Sequence, residues 1–221
     1  MRKLGLFLAL MLAVASQASQ RDACAQYSDE AYRLSAGQPT WVMTYAAAVC
    51  GPNGLAAFRS VVTKRSYQWE FRWAVAVRTP EALEAFQLVM DDSFFEWELQ
   101  WASQTDGPYA LAAFKAVRDD NYTEWEFQWA SHVRSPQALE AFLLIRDNSY
   151  EEWEARWAGN VNNDYALAAF KLVRDNEYFE WEVQWASYVH TEREYRAFVA
   201  VRNRGTYYEA DLQWAATLDG Y

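Results

Sequence analysis

The chain of 221 residues is 52% hydrophobic and 23% charged, enough apolar material for a sizeable core, which excludes intrinsic disorder. Twelve Trp, fourteen Tyr and twelve Phe stand against only eight Gly and five Pro, too few for an all-β fold rich in tight turns, so helix is expected. The formal net charge of -10 argues against nucleic acid as a partner.

The first element is a segment for export. Arg2 and Lys3 precede an apolar run from Leu4 to Ala15 and then small residues spaced for cleavage, Ala13-Val14-Ala15 or Ser16-Gln17-Ala18. This pattern predicts a signal peptide over 1–18. A membrane helix needs about 20 apolar residues, more than this run holds, and no other stretch of the sequence could span a bilayer. Removal of the segment leaves 18 basic against 30 acidic residues, a net charge of -12. Cys24 and Cys50 are the only cysteines, and an exported chain meets an oxidising compartment, so a disulfide is expected between them. A lipid anchor on Cys24 fits poorly, because Arg21-Asp22-Ala23 is not the small, apolar context that such a signal needs. The expected location is secreted or periplasmic, without membrane insertion once the signal is removed.

The remainder repeats. Ala-Phe recurs at Ala57-Phe58, Ala85-Phe86, Ala113-Phe114, Ala141-Phe142, Ala169-Phe170 and Ala197-Phe198, a constant step of 28. Each of the first five Phe is followed by a Trp eleven residues on (Trp69, Trp97, Trp125, Trp153, Trp181) and another four later (Trp73, Trp101, Trp129, Trp157, Trp185). The last copy slips by one residue, at Gly205, and ends on Trp214. Trp41, Tyr45, Pro52 and Leu55 mark a degenerate first copy. Residues 19–55 therefore read as an N-terminal capping repeat with the Cys24–Cys50 disulfide, and 56–221 as an array of six 28-residue units, the last irregular.

Within a unit, Thr79-Pro80 and Ser135-Pro136 place an N-cap before Pro at the first helical position, and Leu83, Phe86 and Val89 follow at helical spacing, which predicts a helix A over 80–90. After an Asp/Asn-rich turn, Ser93 with Glu96, Asn121 with Glu124, Ser149 with Glu152 and Thr206 with Glu209 read as capping boxes for a helix B over 94–105. Helices of about three turns are marginal alone, so stacking must hold them. The predicted fold is an all-α solenoid of about seven stacked αα-hairpins, its first hairpin stapled by the disulfide.

The segment Ala82-Leu83-Glu84-Ala85-Phe86, repeated as Ala110-Leu111-Ala112-Ala113-Phe114 and Ala138-Leu139-Glu140-Ala141-Phe142, resembles the core of the ALF repeats of secreted bacterial proteins. The resemblance covers helix A of most units and implies a helical repeat without an assigned activity. The Trp-Glu-x-x-x-Trp half lies outside that pattern.

On helix B, positions 94, 97, 98, 101, 102 and 105 form one face, filled largely by rings, Phe94, Trp97 and Trp101 in one unit and Tyr122, Trp125 and Trp129 in the next. The rings read as core filling between short helices rather than sugar platforms. Inside that stripe Glu70, Glu98, Glu126, Glu154 and Glu182 follow the first Trp, with Asp211 in the last unit, and an acid so placed must be paired, protonated or open to water. Arg118, Arg146, Arg174 and Arg202 recur four residues after the helix A Phe, which predicts a ladder of Glu-Arg pairs. Units with Val62 and Met90 lack this Arg and need another donor, such as Arg72 or an indole nitrogen. A row of carboxylates acting as general acids is disfavoured, since identical environments would not separate acid from base.

The turns Asp91-Asp92-Ser93, Asp119-Asp120-Asn121 and Asp147-Asn148-Ser149 lack Ca²⁺-loop spacing and read as caps. Asn121-Tyr122-Thr123 is a formal glycosylation sequon. His132 and His190 occupy different positions in their units, which gives no metal pair and no catalytic base; no catalytic residue and no cofactor is expected. Where the units differ, Gln104, His132, Asn160 and Tyr188 share one position and Arg78, Asp106, Arg134, Asn162 and His190 another, an aperiodic lining suited to a partner. The expected function is an exported, non-enzymatic binding module or scaffold for a protein or peptide, basic by charge complementarity, in an inhibitor or immunity-like role. The alternative is a carbohydrate or cell-wall binder using exposed Trp and Tyr.

Overall fold

The computed structural model describes residues 23–64, 67–119, 122–146, 150–175 and 178–218. The segment 1–18 expected to be a signal peptide, the sequon residue Asn121 and residues 147–149, expected to form a turn, lie outside them. Among the described residues fourteen α-helices follow one another: α1 (23–34), α2 (Thr40–Ala46), α3 (Gly51–Val62), α4 (Gln68–Ala74), α5 (Pro80–Met90), α6 (Glu96–Gln104), α7 (Pro108–Arg118), α8 (Glu124–Ala130), α9 (Pro136–Arg146), α10 (Glu152–Ala158), α11 (Asp164–Arg174), α12 (Glu180–Ser187), α13 (Glu192–Arg202) and α14 (Glu209–Ala216). They fall into two compact units, α1–α6 up to Gln104 and α7–α14 from Thr105. In the first, α3 pairs with α4 and α5 with α6, while α3 packs on α5 and α4 on α6. In the second, α7, α9, α11 and α13 form one row and α8, α10, α12 and α14 the other, each helix also packing on its hairpin partner. Both units are two-layer stacks of αα-hairpins, the solenoid arrangement that the 28-residue period predicts.

Helix A starts where the caps place it. Thr79 Oγ1 accepts the Ala82 N–H at 3.1 Å, Ser135 Oγ the Ala138 N–H at 2.9 Å, and Asn163 Oδ1 those of Tyr165 and Ala166 at 2.9 and 3.0 Å. Gly107 takes the same position ahead of Pro108 with φ 87°, a left-handed conformation that a side chain disfavours. The recurring Phe is the centre of the core: Phe58, Phe86, Phe114, Phe142, Phe170 and Phe198 are all fully buried, with Val61, Val89, Val117, Ile145, Val173 and Val201 one turn on. Each Phe contributes about 1.5–3 kcal/mol of burial, which short helices cannot obtain alone.

Helix B departs from the sequence reading in two respects. Its first residue is Glu96, Glu124, Glu152 or Glu209, so the N-cap lies two residues after the expected Ser93, Asn121, Ser149 or Thr206. The extended backbone of Thr123 (φ -118°, ψ 163°) points its N–H at Glu126, and the capping acid is the buried one rather than Glu124. Its buried face is also rotated. Phe71, Leu99, Phe127, Ala155, Val183 and Leu212, each directly after the acid, are buried together with Ala74, Ala102, Ala130, Ala158, Ala186 and Ala215. These residues, each smaller than Trp, take the space between the rows and displace the indoles to the edge. Of the Trp residues only Trp157 is buried, at 5% exposure, so the rings are a half-open border and not the core.

The Cys24–Cys50 disulfide joins α1 to the residue that precedes α3. The slip in the last repeat falls at Gly205, whose φ of 74° lets the turn between α13 and α14 absorb one extra residue.

Candidate functional site

The carboxylate row is a series of two-sided sites. Glu126 Oε2 accepts the Thr123 N–H at 2.6 Å, while Oε1 accepts Arg146 Nη1 at 2.7 Å and the Tyr150 hydroxyl. Glu154 Oε2 takes the Glu151 N–H at 2.9 Å, and Oε1 takes Arg174 and the Tyr178 hydroxyl. Glu182 Oε2 takes the Phe179 N–H at 2.8 Å, and Oε1 takes Arg202 at 2.9 Å and the Tyr207 hydroxyl. The Arg and Tyr come from the following hairpin, so one carboxylate caps its own helix and ties the next hairpin to it. Arg146 Nη2 also donates to the Ala116 carbonyl at 3.1 Å. Glu98 is fully buried and accepts the Phe95 N–H at 2.9 Å; Arg118, in the other unit, is half-buried.

The sequence reading missed the Tyr, which it placed with the apolar face. The signal was present: where Arg gives way to Met90, Tyr gives way to Phe94, and the two positions change together. Glu70, in the hairpin before Met90, keeps only the capping half of the role, accepting the Tyr67 N–H at 3.2 Å. Burial, first, and the hydrogen bond to the carboxylate, second, push the phenols of Tyr178 and Tyr207 up to about 12, and that of Tyr150 higher still.

The second feature is the aromatic border of helix B. In four hairpins the first Trp meets the ring of the next turn edge to face: Trp69 on Phe94, Trp125 on Tyr150, Trp153 on Tyr178 and Trp181 on Tyr207, at 5.4 to 6.0 Å between centroids. Tyr67, Phe95 and Phe179, themselves about two-thirds exposed, stack parallel on Trp69, Trp97 and Trp181. In α8, α10 and α12 the second Trp points its indole N–H at an exposed carboxylate of the following hairpin, Trp129 to Glu152 and Trp157 to Glu180 at 3.4 Å, Trp185 to Glu209 at 3.3 Å. Rings and carboxylates thus alternate along one face. Arg72 and Arg156 lie over the rings of Trp73 and Trp157, at 6.0 and 4.7 Å.

The variable positions are all exposed. Arg78 Nη1 donates to the Cys50 carbonyl at 3.0 Å and Arg134 Nη1 to those of Asp106 at 3.0 Å and Ser131 at 2.7 Å, so both link a turn to the one 28 residues earlier. His132 Nδ1 donates to the Gln128 carbonyl at 2.7 Å, beside Trp129. His190 meets Asn163 at 3.2 Å, and Asn163 also donates to Asn162 at 2.9 Å. Tyr188 packs against Trp157 and Trp185. Gln104, Asp106 and Asn160 are exposed to solvent. Among the described residues no three His, Cys, Asp or Glu side chains are grouped to hold a metal, and no helix is long and apolar enough to cross a membrane.

No protein-family model, curated protein or solved structure matches the chain. The likeness to ALF repeats therefore rests on the Ala-Leu-x-Ala-Phe segments alone.

Proposed function

We propose that the chain is an exported, non-enzymatic helical-repeat module that binds a protein or peptide through the aromatic and acidic face of its B helices. The observation that carries this reading is the alternation of indoles, half-open at Trp129 and Trp185 and buried at Trp157, with exposed carboxylates at Trp129–Glu152, Trp157–Glu180 and Trp185–Glu209. Large rings held by a rigid scaffold bind with little loss of conformational freedom, and the acidic rim favours a basic partner. The buried acids support a structural rather than catalytic role, because both oxygens of Glu126, Glu154 and Glu182 already accept hydrogen bonds. The N-terminal charge and apolar pattern, with the Cys24–Cys50 bond, support export.

A carbohydrate ligand is the second reading, favoured by the parallel Tyr67–Trp69 and Phe179–Trp181 stacks. Panning a random peptide library on the full chain at moderate salt separates the two. Enrichment of peptides whose binding is lost in Trp185→Ala supports the first. No enrichment, with retention on insoluble cell-wall polysaccharide, overturns it.

A further inference from the structure

The inference rests on the reading above and names the chemistry of the ligand. Trp157 differs from the second Trp of its neighbours. It is the buried one, with Arg156 4.7 Å from the centre of its ring and its N–H on Glu180. This indole, with a guanidinium over its face and a carboxylate at its edge, shows what a filled rung looks like. In the hairpins on either side the carboxylate edge is kept, Trp129 with Glu152 and Trp185 with Glu209, but the position of Arg156 is held by Gln128 and Gln184. Trp129 and Trp185 are only half-buried.

We propose that Trp129 and Trp185 each receive a guanidinium from a basic, extended peptide, as Trp157 receives Arg156. The ring face attracts the cation, and the neighbouring Glu152 or Glu209 supplies the opposite charge. Spacing selects the peptide's form. α8, α10 and α12 pack side by side, and at about 8–10 Å per helix layer the two rungs are about 16–20 Å apart. A polyproline II segment rises about 3.1 Å per residue, so two Arg six residues apart span about 19 Å. Its intervening prolines would lie along the aromatic border, the surface on which such segments dock.

The test titrates the full chain with Arg-(Pro)5-Arg, Arg-Pro-Pro-Arg and Gln-(Pro)5-Gln by calorimetry, at low and moderate salt. The first peptide binds about tenfold tighter than the third, because each ring loses its cation, and tighter than the second, which cannot reach both rungs. Arg156→Gln opens a third rung about 8–10 Å from each of the others, and it tightens binding of Arg-Pro-Pro-Arg, which spans about 9 Å, several-fold. Gln128→Arg fills a rung from within and weakens it, with the ring intact. Lys171→Gln, which removes a positive charge from the exposed pair between Lys171 on α11 and Glu140 on α9, leaves binding unchanged. Thermal melts establish that each variant is folded. Equal binding of the Arg and Gln peptides overturns the inference while leaving a peptide module in place, as does an Arg156→Gln effect no larger than that of Lys171→Gln. Binding of none of the peptides by a chain that retains polysaccharide overturns both.

Discussion

Arg146 reaches back 20 residues to Glu126 Oε1 at 2.7 Å, while the other oxygen of that carboxylate caps α8 through the Thr123 N–H. One side chain thus starts a helix and fixes the hairpin that follows. Glu126→Gln keeps an acceptor for Thr123 but leaves the guanidinium of Arg146, about 10% exposed, without its counter-charge. The expected loss is about 1–3 kcal/mol, read as a lower midpoint in urea with an unchanged slope. A variant as stable as the parent would show that the pairing contributes nothing net.

The repeats themselves contain the complementary variant. Met90 and Phe94 replace Arg and Tyr together, and the hairpin before them keeps its Glu70 cap. The double change Arg146→Met with Tyr150→Phe is therefore expected to cost less than the sum of the two single changes. Each single change leaves one polar partner facing an apolar neighbour, and the pair removes both. A double-mutant cycle in urea measures the coupling; additivity would refute cooperation between Arg146 and Tyr150 at Glu126.

The architecture was legible because a step of 28 is visible without any energetics, and Thr79-Pro80 or Ser135-Pro136 mark helix starts unambiguously. The register of helix B was not. Trp97 and Trp101 dominate the pattern by size, yet Leu99 and Ala102 are fully buried, since two helices packed closely accept small side chains more readily than indoles. The same weighting hid the Tyr of the clusters, whose ring looks apolar in a stripe while its hydroxyl does the bonding. The acid and Arg rows were legible from charge alone, because a carboxylate among apolar neighbours demands a partner. Which Arg serves which Glu needed the structure: Glu126 is served by Arg146 of the next hairpin, and Arg118 lies in its own.

Alkaline pH should dissolve the stack before it affects an ordinary helical protein. Tyr178 and Tyr207 stay protonated up to about 12 in the folded chain, whereas an unfolded phenol ionises near 10. Below pH 10 both states hold the proton and the contribution is complete. Between about 10 and 12 only the unfolded state releases it, so stability falls through that window. Chemical denaturation at pH 9, 10, 11 and 12, with phenolate absorbance followed in parallel, should show declining midpoints and a late group of tyrosines. Tyr178→Phe and Tyr207→Phe should flatten the decline. Midpoints that decline equally in the double variant would assign the effect elsewhere.

Reduction should act on one end of the first unit only. Cys24 and Cys50 close a loop with a sequence separation of 26, and removing such a link frees about 3–4 kcal/mol of chain entropy in the unfolded state. That loss concerns α1 and its contact with the start of α3, because each hairpin in a stack depends chiefly on its neighbours. Hydrogen exchange with and without reductant, or in Cys24→Ser/Cys50→Ser, should show residues 23–46 losing protection. The amides of α9–α12 should remain as protected as before. Uniform loss of protection along the chain would instead mean that the solenoid folds as one cooperative body, with the first hairpin as an indispensable end.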